Sequence, residues 1–206
     1  MKKSLILIRF VLILLMIPFG EQVFSKESHV LKVFFRYGSV PARGYEDPDY
    51  EEVGGLLGGH VSLGLDSTEI GFTNREREHL ISNVNKINSV FYRKPIREFE
   101  EKSSGKKYVT FVIPISDDQY YKLLNLLQNY IEHTPYDYAF FGMRCTSATY
   151  EVLSHIGLFP EKSRTRNIQE NFYPELLRRK MFRLAREKKL PTIFQEGRET
   201  RIWDVD

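Results

Sequence analysis

Cys145 is the single cysteine of this 206-residue chain, and its setting favours chemistry over simple packing. It follows Gly142 and opens a predicted helix that runs to His155. The first N–H groups of a helix are unpaired and carry a partial positive charge, which stabilises a thiolate and can hold an oxyanion. Arg144 can act in the same direction. The pattern predicts a reactive thiol; the alternative is a small, buried, apolar side chain.

A thiolate nucleophile needs a nearby base, and His60 is the best candidate among five histidines. Gly58 and Gly59 precede it and leave room for a ligand. His60 also begins a run that alternates apolar residues through Leu65, as a strand does. His155 lies about 15 Å along the predicted helix from Cys145, which is too far to assist. His60 is therefore predicted to be the base, with a satisfied core histidine as the alternative.

The elements that must position this pair can be predicted from periodicity and turn chemistry. Ser116 and Gln119 match a capping box, so a helix should start there. Residues 75–90 are polar and indicate either a helix or an irregular excursion. The other predicted elements are strands 30–37 and 108–115, a hairpin of 60–65 with 68–73, helices 145–155 and 174–189, and a terminal hairpin over 191–206. The pattern predicts an α+β fold, with an antiparallel sheet carrying His60 packed against the Cys145 helix.

Around these two residues the sequence resembles the NlpC-type superfamily of papain-like cysteine enzymes. The matching segments are Gly58-Gly59-His60-Val61-Ser62-Leu63 and Tyr138-Ala-Phe-Phe-Gly-Met-Arg-Cys145-Thr146. The order His then Cys is the mark of the circularly permuted branch, which lecithin:retinol acyltransferase-like enzymes share. The resemblance implies a permuted papain-like fold and a Cys–His mechanism.

Within that group the sequence is similar to the N-terminal periplasmic domain of the bacterial lipoprotein N-acylation enzyme Lnb and its relatives, over roughly residues 30–160. Two positions depart from the pattern. Arg144 stands where relatives commonly have Asn. Phe72 stands where a polar residue orients the histidine, so Asn74 becomes the candidate third catalytic residue, with Thr73 and Glu69 as weaker ones.

The first 25 residues have the layout of a secretory signal peptide: Lys2 and Lys3, an apolar run, and Ser25 before the expected cut. Retention as an N-terminal anchor is the alternative. Residues 26–206 are then one enzyme domain, exported to the periplasm or associated with the membrane. Losing residues 1–25 removes three basic residues and Glu21, so the net charge falls from +3 to +1. Net charge therefore gives no support to a nucleic-acid partner.

Together these features predict a thiol hydrolase or acyltransferase that forms an acyl-enzyme on Cys145. Arg144 and Tyr138 are the candidate substrate-binding residues. The expected substrate belongs to the cell envelope, either a lipid acyl chain or a peptidoglycan peptide. No metal-ligand spacing stands out, so neither a metal nor another cofactor is expected. A non-catalytic envelope-binding module that keeps the fold is the remaining class.

Overall fold

The computed structural model describes residues 29–45, 56–83 and 85–206. The predicted signal peptide, residues 1–25, lies outside this part of the chain. Within the described residues no helix is both long and apolar enough to cross a membrane. The described residues therefore include the elements predicted to carry the site, and the signal peptide stays a prediction.

The fold is α+β, as predicted, with one large antiparallel sheet. The strands are β1 (His29–Tyr37), β2 (Ser39–Pro41), β3 (Gly59–Leu65), β4 (Thr68–Asn74), β5 (Ser89–Pro95), β6 (Tyr108–Ile115), β7 (Thr192–Gln195) and β8 (Arg201–Trp203). Six of them form a sheet in the order β5-β4-β3-β1-β6-β7, and β2 pairs with β8. The helices are α1 (Ile96–Ser103), α2 (Asp117–Glu132), α3 (Cys145–His155), α4 (Arg164–Glu170) and α5 (Pro174–Lys188).

The two faces of the large sheet have different roles because side chains alternate along each strand. In β3, Val61 and Leu63 are buried in the main core, which also contains Ala148 of α3. His60 and Ser62 belong to the other face. There Phe34, paired opposite Ser62, stacks on Phe99 of α1 at 4.3 Å between ring centroids. The sheet thus places His60 on the face that α1 partly covers.

Several predictions from local chemistry are confirmed. Ser116 Oγ accepts the N–H of Gln119 at 3.3 Å, and Gln119 Oε1 accepts the N–H of Ser116 at 3.1 Å, which completes the capping box. The hairpin of β3 and β4 forms with Leu65 opposite Thr68. Helix α3 has the predicted bounds. The predicted hairpin that carries His60 and the predicted helix that carries Cys145 are therefore confirmed.

The predicted terminal hairpin over 191–206 is wrong. β7 adds to the large sheet beside β6, whereas β8 pairs with β2. Arg201 reinforces the second pairing by donating from Nε to Ser39 Oγ at 2.7 Å. Tertiary partners on different sheets therefore prevent β7 and β8 from pairing with each other.

Residues 75–83 and 85–88 form an irregular excursion and not a helix, and Asp137 provides the physical reason. Its buried carboxylate accepts the backbone N–H groups of Asn83 at 2.9 Å and Asn88 at 2.7 Å. It also contacts His79 Nδ1 at 2.6 Å. Strand β5 and helix α1 follow this excursion and were not predicted. A single buried carboxylate thus fixes the path of the chain into the strand that carries Tyr92.

Candidate functional site

Cys145 and His60, 85 positions apart in the sequence, line one cleft of about 780 Å³. The other predicted site residues, Asn74, Tyr138 and Arg144, line the same cleft. Its lining also includes residues of β1, β4, β5 and α1, namely Arg36, Glu69, Tyr92, Lys94, Glu98, Phe99 and Lys102. The fold therefore brings together every site residue predicted from sequence, and adds a polar wall that was not predicted.

Cys145 is the first residue of α3 and is 4 % exposed. Arg144 precedes it in an extended conformation, and its backbone N–H donates to Ser147 Oγ at 2.9 Å. No side chain among the described residues caps the N–H groups of this first turn, and the turn contains no acidic residue. No acidic side chain in this turn therefore offsets the positive end of the helix beside the sulfur, and the N–H groups of the turn remain as donors for an oxyanion.

Within the described residues the Cys145 sulfur has one hydrogen-bonding neighbour, the Thr146 hydroxyl at 3.8 Å. No hydrogen bond joins the sulfur directly to His60 in this part of the chain. The two side chains line the same cleft. Contacts between a nucleophile and its base are often loose in the free enzyme and tighten when substrate binds.

Gly59 fixes where His60 begins its strand. Its φ of +101° lies in the region that only glycine adopts readily. A Cβ at this position would lie 3.1 Å from the backbone nitrogen of Gly38 and still closer to the carbonyl oxygen of Arg36. Both constraints require glycine immediately before His60, so the histidine is set against β1 by backbone geometry.

A hydrogen-bonded chain that sequence reasoning missed orients the His60 ring. His60 Nε2 lies 3.1 Å from the Tyr92 hydroxyl, which donates to Glu69 Oε1 at 3.1 Å. Ser62 Oγ donates to the same carboxylate oxygen at 2.7 Å. Because the tyrosine proton is given to Glu69, the hydroxyl accepts from Nε2–H. In this hydrogen-bond pattern the ring carries its proton on Nε2, and Nδ1 is the nitrogen free to accept a proton.

The charge state of Tyr92 agrees with this direction of donation. Burial and then the Glu69 carboxylate raise the pKa of Tyr92 above its ordinary value, so the hydroxyl keeps its proton. A negative charge on Cys145 also raises the pKa of Tyr92, which indicates that the sulfur lies within electrostatic reach of this hydroxyl. Tyr92 therefore hydrogen bonds with His60 and also lies within electrostatic reach of Cys145.

Asn74 does not hold the His60 ring. Its amide nitrogen donates to the carbonyl oxygen of Glu76, and its oxygen accepts from the Thr73 hydroxyl at 3.3 Å. The side chain is thus used in the turn that ends β4. The orienting role predicted for Asn74 is taken by Tyr92, and Glu69, the weaker candidate, acts one hydrogen bond further away.

Gly71 makes room for Tyr92. This glycine inside a predicted strand is the sequence feature that could have indicated the close approach of another side chain. The two residues are paired across β4 and β5. A Cβ on Gly71 would lie 2.5 Å from Tyr92 Cζ and 2.7 Å from Cε1. A glycine inside a strand often marks such a close approach. The tyrosine ring can cross β4 toward His60 only because position 71 has no side chain.

Replacing Tyr92 with phenylalanine should lower the rate of Cys145 alkylation by about tenfold, because a lost buried hydrogen bond costs about 1–3 kcal/mol and 1.4 kcal/mol is tenfold in rate. The pH dependence of labelling should shift as well, since the ring tautomer is no longer fixed. Tyr120→Phe is the matched control: it removes a similar bond, to Asp66 at 2.8 Å, at an exposed site. Equal labelling rates in the two variants would show that Tyr92 does not position the base.

His60 is neutral at physiological pH. Burial, followed by the positive charges of Arg36 and Lys94, lowers the pKa of His60 to about 3. A preformed thiolate–imidazolium pair is therefore disfavoured in the free protein. The arrangement suits a neutral imidazole that takes the proton from a neutral thiol during attack.

This lowered pKa makes a prediction about stability. The unfolded chain protonates His60 below about pH 6.5 whereas the folded chain does not until about pH 3, so stability should fall as pH drops between these values. The expected contribution is at most about 1.4 kcal/mol per pH unit. Urea unfolding of wild type and His60→Gln should show a smaller loss on acidification in the variant. Parallel losses in both proteins would contradict the assignment.

Arg144 and Tyr138 form the wall beside the sulfur. The Arg144 guanidinium lies over the rings of Phe140 at 5.4 Å and Phe172 at 5.0 Å, and its buried Nη1 has no hydrogen-bond partner among the described residues. Tyr138 packs on Phe72 at 5.3 Å between centroids. Phe72 therefore belongs to the packing of this wall. The substrate-binding roles of Arg144 and Tyr138 stay predictions.

Among residues 29–45, 56–83 and 85–206, no group of three or more His, Cys, Asp and Glu side chains is arranged to hold a metal ion. Comparisons of the chain with protein-family models, curated proteins and solved structures gave no match. What the cleft can do chemically therefore follows from its own residues.

Proposed function

We propose that this protein is a cysteine enzyme that transfers an acyl group through a thioester on Cys145, with His60 as base. One observation supports this most: the thiol at an uncapped helix N-terminus and an imidazole with a fixed tautomer line the same cleft. The Tyr92–Glu69 chain behind the ring gives the base–orienter arrangement that activated nucleophiles use.

The reaction begins when His60 Nδ1 takes the proton from Cys145 Sγ as the sulfur attacks an amide, ester or thioester carbonyl. The new C–S bond forms, and the carbonyl oxygen gains the negative charge, which N–H groups at the start of α3 stabilise. The carbon–leaving-group bond then breaks, and His60 returns its proton to the leaving group. Water or an amine gives up a proton to His60, attacks the thioester and releases the thiol.

The finer fold assignment, a circularly permuted NlpC-type papain-like domain, is part of the same proposal. The strand with the histidine precedes the helix with the cysteine, and α3 packs on β3 and β4 of an antiparallel sheet. The resemblance to the Lnb domain favours an exported, envelope-associated acyltransferase. Amide hydrolysis of peptidoglycan is the alternative, since water in place of an amine uses the same site.

Mass spectrometry of Cys145 after expression in bacterial cells tests the proposal and separates its outcomes. We expect a hydroxylamine-labile adduct on this residue in wild type and none on the Cys145→Ala protein. A fatty acyl mass supports acyl transfer, and a peptide mass supports hydrolysis. An unmodified Cys145 whose iodoacetamide labelling is also unchanged by His60→Gln would overturn the proposal and favour a non-catalytic binding module.

A further inference from the structure

The cleft continues from Cys145 and His60 along the outer face of the sheet, and this end is rich in cations. Arg36 of β1, Lys94 of β5 and Lys102 of α1 line it. Arg36 is paired directly opposite His60 across β1 and β3. Arg36 and Lys94 are also the two cations whose charge acts on His60. Positive charge is therefore concentrated next to the proposed base.

Among the described residues no ion pair within 4.0 Å joins Arg36, Lys94 or Lys102 to a carboxylate, although Glu69 stands opposite Lys94 across β4 and β5. The Arg36 guanidinium contacts the Phe99 ring at 5.7 Å, and its buried Nε lacks a hydrogen-bond partner in the described part of the chain. Lys94 Nζ lies 5.1 Å from the Tyr92 ring centroid. Leaving a buried donor unsatisfied costs about 1–3 kcal/mol. A group that accepts from Arg36 would remove that cost.

The acidic side chains at this end do not supply such a group. Glu69 is 4 % exposed and its Oε1 already accepts from Ser62 and Tyr92. Glu98 lines the cleft, yet forms no ion pair with Lys94 or Lys102 within the described residues. The cations are therefore arranged toward the open cleft.

We propose that the part of the cleft lined by Arg36, Lys94 and Lys102 binds an anionic group of the substrate, a phosphate or a carboxylate. The inference rests on the proposed function, because the anionic group and the attacked carbonyl belong to one molecule. Arg36 offers the forked donors that suit either anion, and the lysines add charge. The substrate class is thus an acyl compound with a phosphate or carboxylate near its scissile bond.

Occupancy of this anion subsite also changes the base. Arg36 and Lys94 oppose a positive charge on His60, and a bound anion offsets them. Protonation of the imidazole, which must occur as the thiol is deprotonated, then becomes easier. Binding of the correct substrate is thereby coupled to activation of Cys145.

The subsite is tested by titrating full-length Cys145→Ala protein with inorganic phosphate, acetate and a soluble short-chain phosphatidic acid, using calorimetry. We expect saturable binding of at least one probe to the Cys145→Ala protein. Adding both Arg36→Gln and Lys94→Gln to this protein should weaken that binding at least tenfold. The matched control adds Arg93→Gln with Lys122→Gln, exposed residues outside the cleft lining. Tighter binding of phosphatidic acid than of phosphate would support a substrate whose anionic group is a lipid headgroup, and equal binding would support recognition of the anionic group alone, with no contribution from the acyl chains.

Equal affinity in the two double variants, with both shown to be folded by circular dichroism, would overturn the subsite, as would no binding of any probe. Labelling of wild-type Cys145 separates this result from failure of the proposed function. Phosphate should accelerate iodoacetamide labelling several-fold in wild type and leave the Arg36→Gln, Lys94→Gln protein unchanged. If anion binding is absent but labelling of Cys145 still depends on His60, only the subsite is wrong. If labelling of Cys145 does not depend on His60, the proposed enzyme function is wrong.

Discussion

Replacing His60 with glutamine is expected to slow alkylation of Cys145 by iodoacetamide at neutral pH by about 100-fold, because a positioned general base contributes about 10²–10⁴-fold. In the proposed mechanism the imidazole Nδ1 accepts the thiol proton, and glutamine cannot replace it. The rate is measured by intact-protein mass spectrometry under excess reagent. Cys145 is the only cysteine, so each added mass reports on this site.

His155→Gln is the matched control for that experiment. His155 lies at the opposite end of α3 from Cys145 and contacts Glu161 at 3.3 Å. Its replacement should leave the labelling rate within about twofold of wild type, since it cannot reach the thiol. If His60→Gln labels as fast as His155→Gln, the two residues of the cleft do not act together and the Cys–His assignment is wrong.

Arg178→Met should lower the free energy of unfolding by about 3 kcal/mol, because removing one partner of a buried ion pair leaves uncompensated charge. Arg178 is fully buried and contacts Asp206 Oδ1 at 2.6 Å and Asp204 Oδ2 at 2.7 Å. Its guanidinium also lies 3.9 Å from the centroid of Tyr37, whose hydroxyl donates to Asp206. We take the lower end of the usual range because Asp206 is 37 % exposed.

This cluster also supports the site, since Tyr37 is paired opposite Gly59, next to His60. Arg179→Met is the control: the neighbouring side chain is 62 % exposed and pairs with Glu175 one turn away. Its loss should cost less than about 0.5 kcal/mol. Urea unfolding monitored by circular dichroism measures both variants. Similar midpoints for the two would mean that the buried cluster does not stabilise the fold.

The elements with strong local signals could be predicted from the sequence. The alternating run after His60 and the capping box at Ser116 each depend on neighbours within a few residues. Cys145 could be predicted for the same reason, because the start of its helix and the presence of a thiol are both visible in the local sequence. These local signals were sufficient to single out Cys145 and His60, which line one cleft in the structure.

The orienting chain could not be predicted because it depends on register between strands. Tyr92 acts on His60 only because β5 pairs with β4 and places the tyrosine beside Gly71. β5 follows an irregular excursion held by buried Asp137, a tertiary contact that leaves no periodicity in the sequence. The prediction of Asn74 rested on its position along β4, whereas its amide donates to the carbonyl oxygen of Glu76 in the turn that follows this strand. The pairing of β7 with β6 and of β8 with β2 could not be predicted either, because these partners are distant along the chain.

The most direct measurement is the reaction of the protein with p-nitrophenyl acetate under pre-steady-state conditions. An acyl-enzyme mechanism predicts a burst of one nitrophenolate per protein and an acetyl group on Cys145, because thioester formation precedes its hydrolysis. His60→Gln should slow the burst strongly, and Cys145→Ala should abolish it. A wild-type protein without a burst, or a burst that persists in Cys145→Ala, would contradict nucleophilic catalysis by this cysteine.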